Sequence, residues 1–160
     1  MAIRFIRKNN RDMVEFSDVR IIHRNLRGIK KEFNREGNRG FSIVLTQDEA
    51  NDLLERGYNV RIRQAQDNPD DTFCFLPVTV NYNNIPPRIY RVTAEKMTLL
   101  TEANVGVIDT SDIVNVNLTV NARYWEINGK HGIKPYVNVM YVEVEEDSFA
   151  NRYSDREMIS

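Results

Sequence analysis

Two stretches of this chain interleave cations with flat rings. Arg24, Arg27, Lys30, Lys31, Phe33, Arg35, Arg39 and Phe41 fall in the first, and Arg123, Tyr124, Trp125, Lys130, His131, Lys134 and Tyr136 surround Asn128-Gly129 in the second. Arg61 and Arg63 stand between them. Lys and Arg neutralise a line of phosphates, and rings stack on unpaired bases, so sequence-tolerant contact with a single-stranded nucleic acid calls for both along one groove. The rings are not equivalent. Phe41 alternates with Ile43 and Leu45 and is expected in the core, as is Tyr124, which shares parity with Ala122. Trp125 shares parity with Arg123 and with Asn117, Thr119 and Asn121, so it is expected on the polar face, where a base could stack. The candidate contacts are therefore Arg24, Arg27, Lys30, Lys31, Phe33, Arg35, Arg39, Arg61, Arg63, Arg123, Trp125, Lys130, His131, Lys134 and Tyr136.

Other chemistries lack parts. One cysteine and two histidines, His23 and His131, are too few for a zinc site of Cys/His type. Gly129-Lys130 is followed by His131, so no phosphate-cradling loop is present, and no Gly-x-Ser-x-Gly turn marks a nucleophile. Asp67, Asp70 and Asp71 surround Asn68-Pro69 in a turn, and Glu143, Glu145, Glu146 and Asp147 end a strand, which are ordinary sites for solvated acids. No catalysis, metal or cofactor is expected.

The charge layout agrees with a polyanionic partner. Residues 1–40 hold 11 Lys+Arg against 5 Asp+Glu, leaving 11 against 18 for the rest, so a net charge of −1 hides a basic front of +6 and a remainder of −7. At 160 residues and 41% apolar, the chain is large enough for one core without staples. Cys74, between Phe73 and Phe75, is expected to pack as a small hydrophobe, which suits a reducing cytoplasm. MAIRFIRKNN lacks a signal-peptide apolar stretch, so a soluble cytoplasmic protein is expected.

Short alternating runs make the fold mainly β. Residues 16–25 and 39–45 read as the first two strands, joined by a basic, glycine-containing loop. Thr46 and Glu49 form a capping box that opens one short helix over residues 46–57, closed by Gly57. Residues 59–65 read as a strand with Val60 and Ile62 inward and Arg61 and Arg63 outward. Residues 73–82 form a strand with Pro77 marking an edge or bulge. Strands at 88–93 and 96–100 follow, and residues 101–113 connect with room for one helical turn. A hairpin of residues 114–127 and 133–146 flanks the turn NGKHG. Val116, Leu118, Val120 and Ala122 are expected on its inner face. The sum is an OB-type five-stranded barrel with extra strands and a hairpin. Its expected organisation is a basic N-terminal arm at 1–15, the barrel domain at 16–147 and a tail at 148–160. Pro77 and the Asn/Thr-rich hairpin face leave room for a homodimer.

Three ordered motifs carry a resemblance: Phe33-Asn34-Arg35-Glu36-Gly37 leading to Arg39-Gly40-Phe41, the helix exit Gly57-Tyr58-Asn59-Val60, and the hairpin from Trp125 to Lys134. With them, residues 16–153 resemble the bacteriophage single-stranded DNA-binding proteins with an OB fold. The resemblance implies a non-enzymatic protein that coats single-stranded DNA in phage replication or recombination, with replication or recombination proteins as further partners and the host cytoplasm as its location. The chain departs from relatives with a strongly acidic C-terminus, because its acids cluster at 143–147 and it ends in DREMIS. An OB-like protein-interaction module and a single-stranded RNA binder are the alternative readings.

Overall fold

β-branched and aromatic residues alternating with polar ones favour a pleated, half-buried backbone over most of the chain. A computed structural model describes residues 1–31, 34–64, 67, 72–83 and 85–145, in which ten strands join one sheet. β1 (Ala2–Lys8) pairs antiparallel with β2 (Arg11–Val19), and β2 runs on through Arg20 into β3 (Ile21–Asn25) as one bent stretch. β3 pairs with β4 (Arg39–Leu45), and β4 pairs with β6 (Thr72–Val80). β6 meets β10 (Lys130–Val144) in parallel, β10 pairs with β9 (Ile113–Ile127), and β9 returns to β2. Because β2 and β3 are the same stretch of chain, this path closes. Five strands thus form a barrel in the order bent stretch, β4, β6, β10, β9, which is the OB connectivity. The amide of Val44 donates to the carbonyl of Arg20 at 3.0 Å and ties the bend to β4.

Inside the barrel sit Phe16, Ile43, Leu76, Leu118, Val120, Met140 and Val142, with Phe41 and the thiol of Cys74 buried beside them as expected. The helix, α1 (Gln47–Glu55), has its capping box complete: Thr46 Oγ1 accepts from the Glu49 amide, and the Glu49 carboxylate accepts from the Thr46 amide. Gly57 follows its end at φ +99°, a conformation that costs a β-carbon-bearing residue more. β5 (Arg61–Gln64) pairs with β6, β7 (Arg88–Val92) pairs with β10, and β8 (Met97–Leu100) pairs with β7. A 3-10 helix, Val105–Thr110, provides the helical turn of the 101–113 connection. No helix among the described residues is long and apolar enough to cross a membrane.

Several expectations change. Residues 1–15 are not a loose arm: they are β1 and the start of β2, turned by Asn9 and Asn10 in left-handed conformations. The expected strand at 16–25 is therefore neither first nor unbroken. Ile62 is exposed although Val60 is buried, because β5 is a four-residue strand that, among the described residues, pairs only with β6. The hairpin turn is just Asn128-Gly129, and Lys130 and His131 are β10 residues opposite Ile127 and Glu126. Tyr124 is 65% exposed rather than core. β9 and β10 each have 15 residues, so they span about 50 Å and overrun the barrel. Pro77 does pair with Ser42 of β4, but on its other side β6 is paired with β5 at 72–75 and with β10 only at Thr79. A residue without an amide hydrogen fits that gap. Phe33 and the tail at 148–160 lie outside the described residues.

Candidate nucleic-acid interface

Side chains of β4, β6 and β10 that point away from the core make one continuous floor. Gly40 lies opposite Thr79, Ser42 opposite Pro77, and Thr79 opposite Tyr136, with Lys134 two residues before it. The neighbouring positions Phe41, Leu76, Val78 and Val80 are buried, which fixes the floor as the outer face. A β-carbon at Gly40 would stand 2.6 Å from the carbonyl oxygen of Val78, so only glycine lets β4 and β6 approach this closely. The floor belongs to an open groove of about 700 Å³ that also touches His23, Lys31, Asn34, Arg39, Tyr82 and Glu102. In barrels of this connectivity the second and third strands, with the first and fourth connecting loops, are the usual oligonucleotide face.

The first of those loops, residues 26–38, is fastened through its described residues, 26–31 and 34–38. The Asp109 carboxylate accepts from the amides of Leu26 at 2.8 Å and Arg27 at 3.1 Å. The Asn25 side chain both donates to the Ile29 carbonyl and accepts from the Ile29 amide. Asn34 Nδ2 reaches the carbonyls of Ile29, Arg35 and Asn38, and the Gly37 amide donates to Gly28 at 2.9 Å. Lys30, Lys31 and Arg35 project from this fixed frame into solvent.

Not every expected cation reaches the groove. Arg24 donates to the carbonyls of Ile108 at 2.7 Å and Ser111 at 2.8 Å and so anchors the end of the 3-10 helix. Arg27 lies against that helix: a β-carbon at Gly106 would be 2.9 Å from its side chain. Arg61 and Arg63 are exposed on β5, outside the groove, with Arg63 6.0 Å from the Phe75 ring. Arg39 lines the groove, but its side chain is only 17% exposed; it donates to the Leu26 carbonyl at 2.6 Å and meets Glu102 at 3.5 Å. It also stands 5.7 Å from the centre of the Tyr82 ring.

The long hairpin brings the second group together. Lys134 pairs with Arg123 across β9 and β10, and both cations lie over the Tyr136 ring, at 5.3 and 5.2 Å. Trp125 pairs with Gly132 and lies across it, three indole atoms falling 3.1–3.2 Å from where a β-carbon would be. The indole is half-buried on the same face as Arg123 and Lys134. Lys130 is exposed near the turn, and the His131 ring is 6.1 Å from that of Tyr124 on the reverse face. The structure thus gathers Lys31, Arg39, Lys134 and Tyr136 at the groove, with Arg123 and Trp125 beside it.

Tyr82, Asn25 and Asn34 line the groove and Asp109 holds the loop beside it, and none of the four is among the expected contacts. Burial pushes the Tyr82 phenol above its ordinary 10.0, the Arg39 charge opposes that and Glu102 adds to it. Its hydroxyl is buried without a hydrogen-bond partner among the described residues. Parity with the buried Val78 and Val80 points Tyr82 toward the core and away from the groove, and nothing local links Asp109 to a loop 82 residues earlier.

Known proteins resemble the fold. Residues 4–160 match the family described as "Putative phage ssDNA-binding domain". No curated protein matches. Among solved structures, the C-terminally truncated single-stranded DNA-binding protein from bacteriophage Enc34 aligns with a TM-score of 0.50 at 11% identity, covering 91% of this chain and 96% of that one. The same phage protein without the truncation gives 0.50 at 12% identity, with 93% of each chain covered. At these identities the likeness is one of fold.

Proposed function

The chain belongs to the phage single-stranded DNA-binding domain family, and on that premise we propose that it coats single-stranded DNA during phage replication or recombination, in the host cytoplasm and without catalysis. The supporting observation is the open groove on the barrel's outer face, floored by β4, β6 and β10 and rimmed by Lys31, Arg39 and Lys134 beside the Tyr136 ring. Lys30, Lys31, Arg35, Arg123 and Lys134 neutralise phosphates in this reading. Tyr136 and Trp125 offer faces to bases. The cations and rings carry no pattern of base-edge donors and acceptors, so binding is sequence-tolerant. Duplex DNA hides its base faces and binds less well.

Titration with a dT oligomer of about 30 bases, followed by Trp125 fluorescence, tests this. Saturable quenching that weakens with salt and is absent with matched duplex is the expected result. If about five phosphates are engaged, affinity falls with log salt at a slope of roughly −3 to −4. An indifferent fluorescence signal together with an unshifted gel band would overturn the reading.

A further inference from the structure

The groove does not end at β10. Register carries its floor across three further strands: Tyr136 pairs with Asn121, Asn121 with Met13, and Met13 with Ile6. Paired residues share a face, so these four side chains form one row on the outer side of the sheet. The row beyond it, two residues toward the hairpin ends, consists of Lys134, Arg123, Arg11 and Lys8; Lys134–Arg123 and Arg11–Lys8 are direct pairs, and continuing the β2–β9 register sets Arg11 level with Arg123. All four are exposed. Among the described residues neither Lys8 nor Arg11 has an ion pair or side-chain hydrogen bond. The nearest acid on this face, Glu15, lies in the row on the far side of Met13 and is held by Arg4 at 3.0 Å.

We infer that the β1–β2 hairpin is a second segment of the nucleic-acid path, in which Arg11 and Lys8 take up phosphates of a strand leaving the groove past Lys134 and Arg123. This rests on the single-stranded DNA reading above and specifies its route. Three strand spacings separate β10 from β1, about 14 Å, which is room for about two further phosphates. Four aligned cations with no acid among them repel one another, and a polyanion laid along the row relieves that repulsion. The opposite face of the hairpin differs: there Arg7 stands opposite Asp12, so a strand crossing it would meet a carboxylate.

The test compares the wild-type chain with Lys8→Ala/Arg11→Ala and with Arg7→Ala, using a dT oligomer of about 8 bases that fills only the groove and one of about 25 bases. The expected result is that the double variant loses about 1.4 from the salt slope on the long oligomer and several-fold in affinity at low salt, with the short oligomer unaffected. Arg7→Ala leaves both unchanged. The three positions are exposed, and matching circular dichroism and melting confirm the fold. Equal slopes for wild type and double variant on the long oligomer would overturn the inference, as would an equal loss in Arg7→Ala or on the short oligomer. Absence of wild-type binding to either oligomer would instead overturn the single-stranded DNA reading.

Discussion

Gly132 is what seats Trp125. Replacing it with Ala puts a methyl group 3.1–3.2 Å from three indole atoms, tighter than ordinary contact, so the ring must lift off β10. The expected outcome for Gly132→Ala is a red-shifted Trp125 emission and several-fold weaker DNA quenching, with the melting temperature nearly unchanged because the hairpin end lies beyond the core. Tyr82 is read through pH instead. Its phenol is raised above 10.0, chiefly by burial, so the unfolded chain gives up this proton at lower pH than the folded one. Below about pH 10 the group makes no pH-dependent contribution; above it, stability falls as pH rises until the folded protein also ionises. Tyr82→Phe should therefore lose less stability than wild type between about pH 8 and pH 11, by denaturant midpoint. Tyr58 is raised in the same direction and retains its own share of the decline.

Loop 26–38 is an element whose order depends on a residue far away in sequence. Asp109→Ala leaves the amides of Leu26 and Arg27 without their carboxylate acceptor, which should cost about 1–3 kcal/mol in thermal or denaturant unfolding. It should also weaken DNA binding without removing a phosphate contact, because Lys30 and Lys31 lose their frame; hydrogen exchange at Leu26 and Arg27 would register the same release. The features legible beforehand were those written locally. Thr46 and Glu49 announced α1, and Asn128-Gly129 announced the last turn. The mixture of cations and rings singles out Lys31, Arg39, Lys134 and Tyr136 in the sequence, and these four line one groove. The failures share a different cause. Parity sorts a strand's two faces but not how far the core extends along it, so Tyr124 was misjudged where β9 overruns the barrel. Arg24 and Arg27 carry the charge of a phosphate contact, yet Arg24 donates to the carbonyls of Ile108 and Ser111 and Arg27 packs beside Gly106, some 80 residues later. In the β1–β2 hairpin the positive charges of AIRFIRK and RDMVEFSDV mask the apolar alternation that makes them strands.

At the scale of the whole molecule, the barrel has one thin seam. β6 and β10 share a single register pair, Thr79–Tyr136, whereas β9 and β10 are paired almost end to end. Amides of β6 that face β10 should exchange with deuterium faster than those of the β9–β10 ladder, and bound DNA lying across the seam should slow them. Equal rates in the free protein would count against a weak closure. The closed ring also protects the chain's single cysteine, Cys74, which is 2% exposed on β6 between Leu45 of β4 and Ile62 of β5. A maleimide dye cannot reach that thiol while the barrel stands, so the native protein is a blank background for chemical labelling. Cysteines introduced one at a time at exposed positions such as 8, 30 and 130 would each be the sole handle, and energy transfer to a dye at one end of an oligonucleotide would turn the molecule into a ruler for strand polarity.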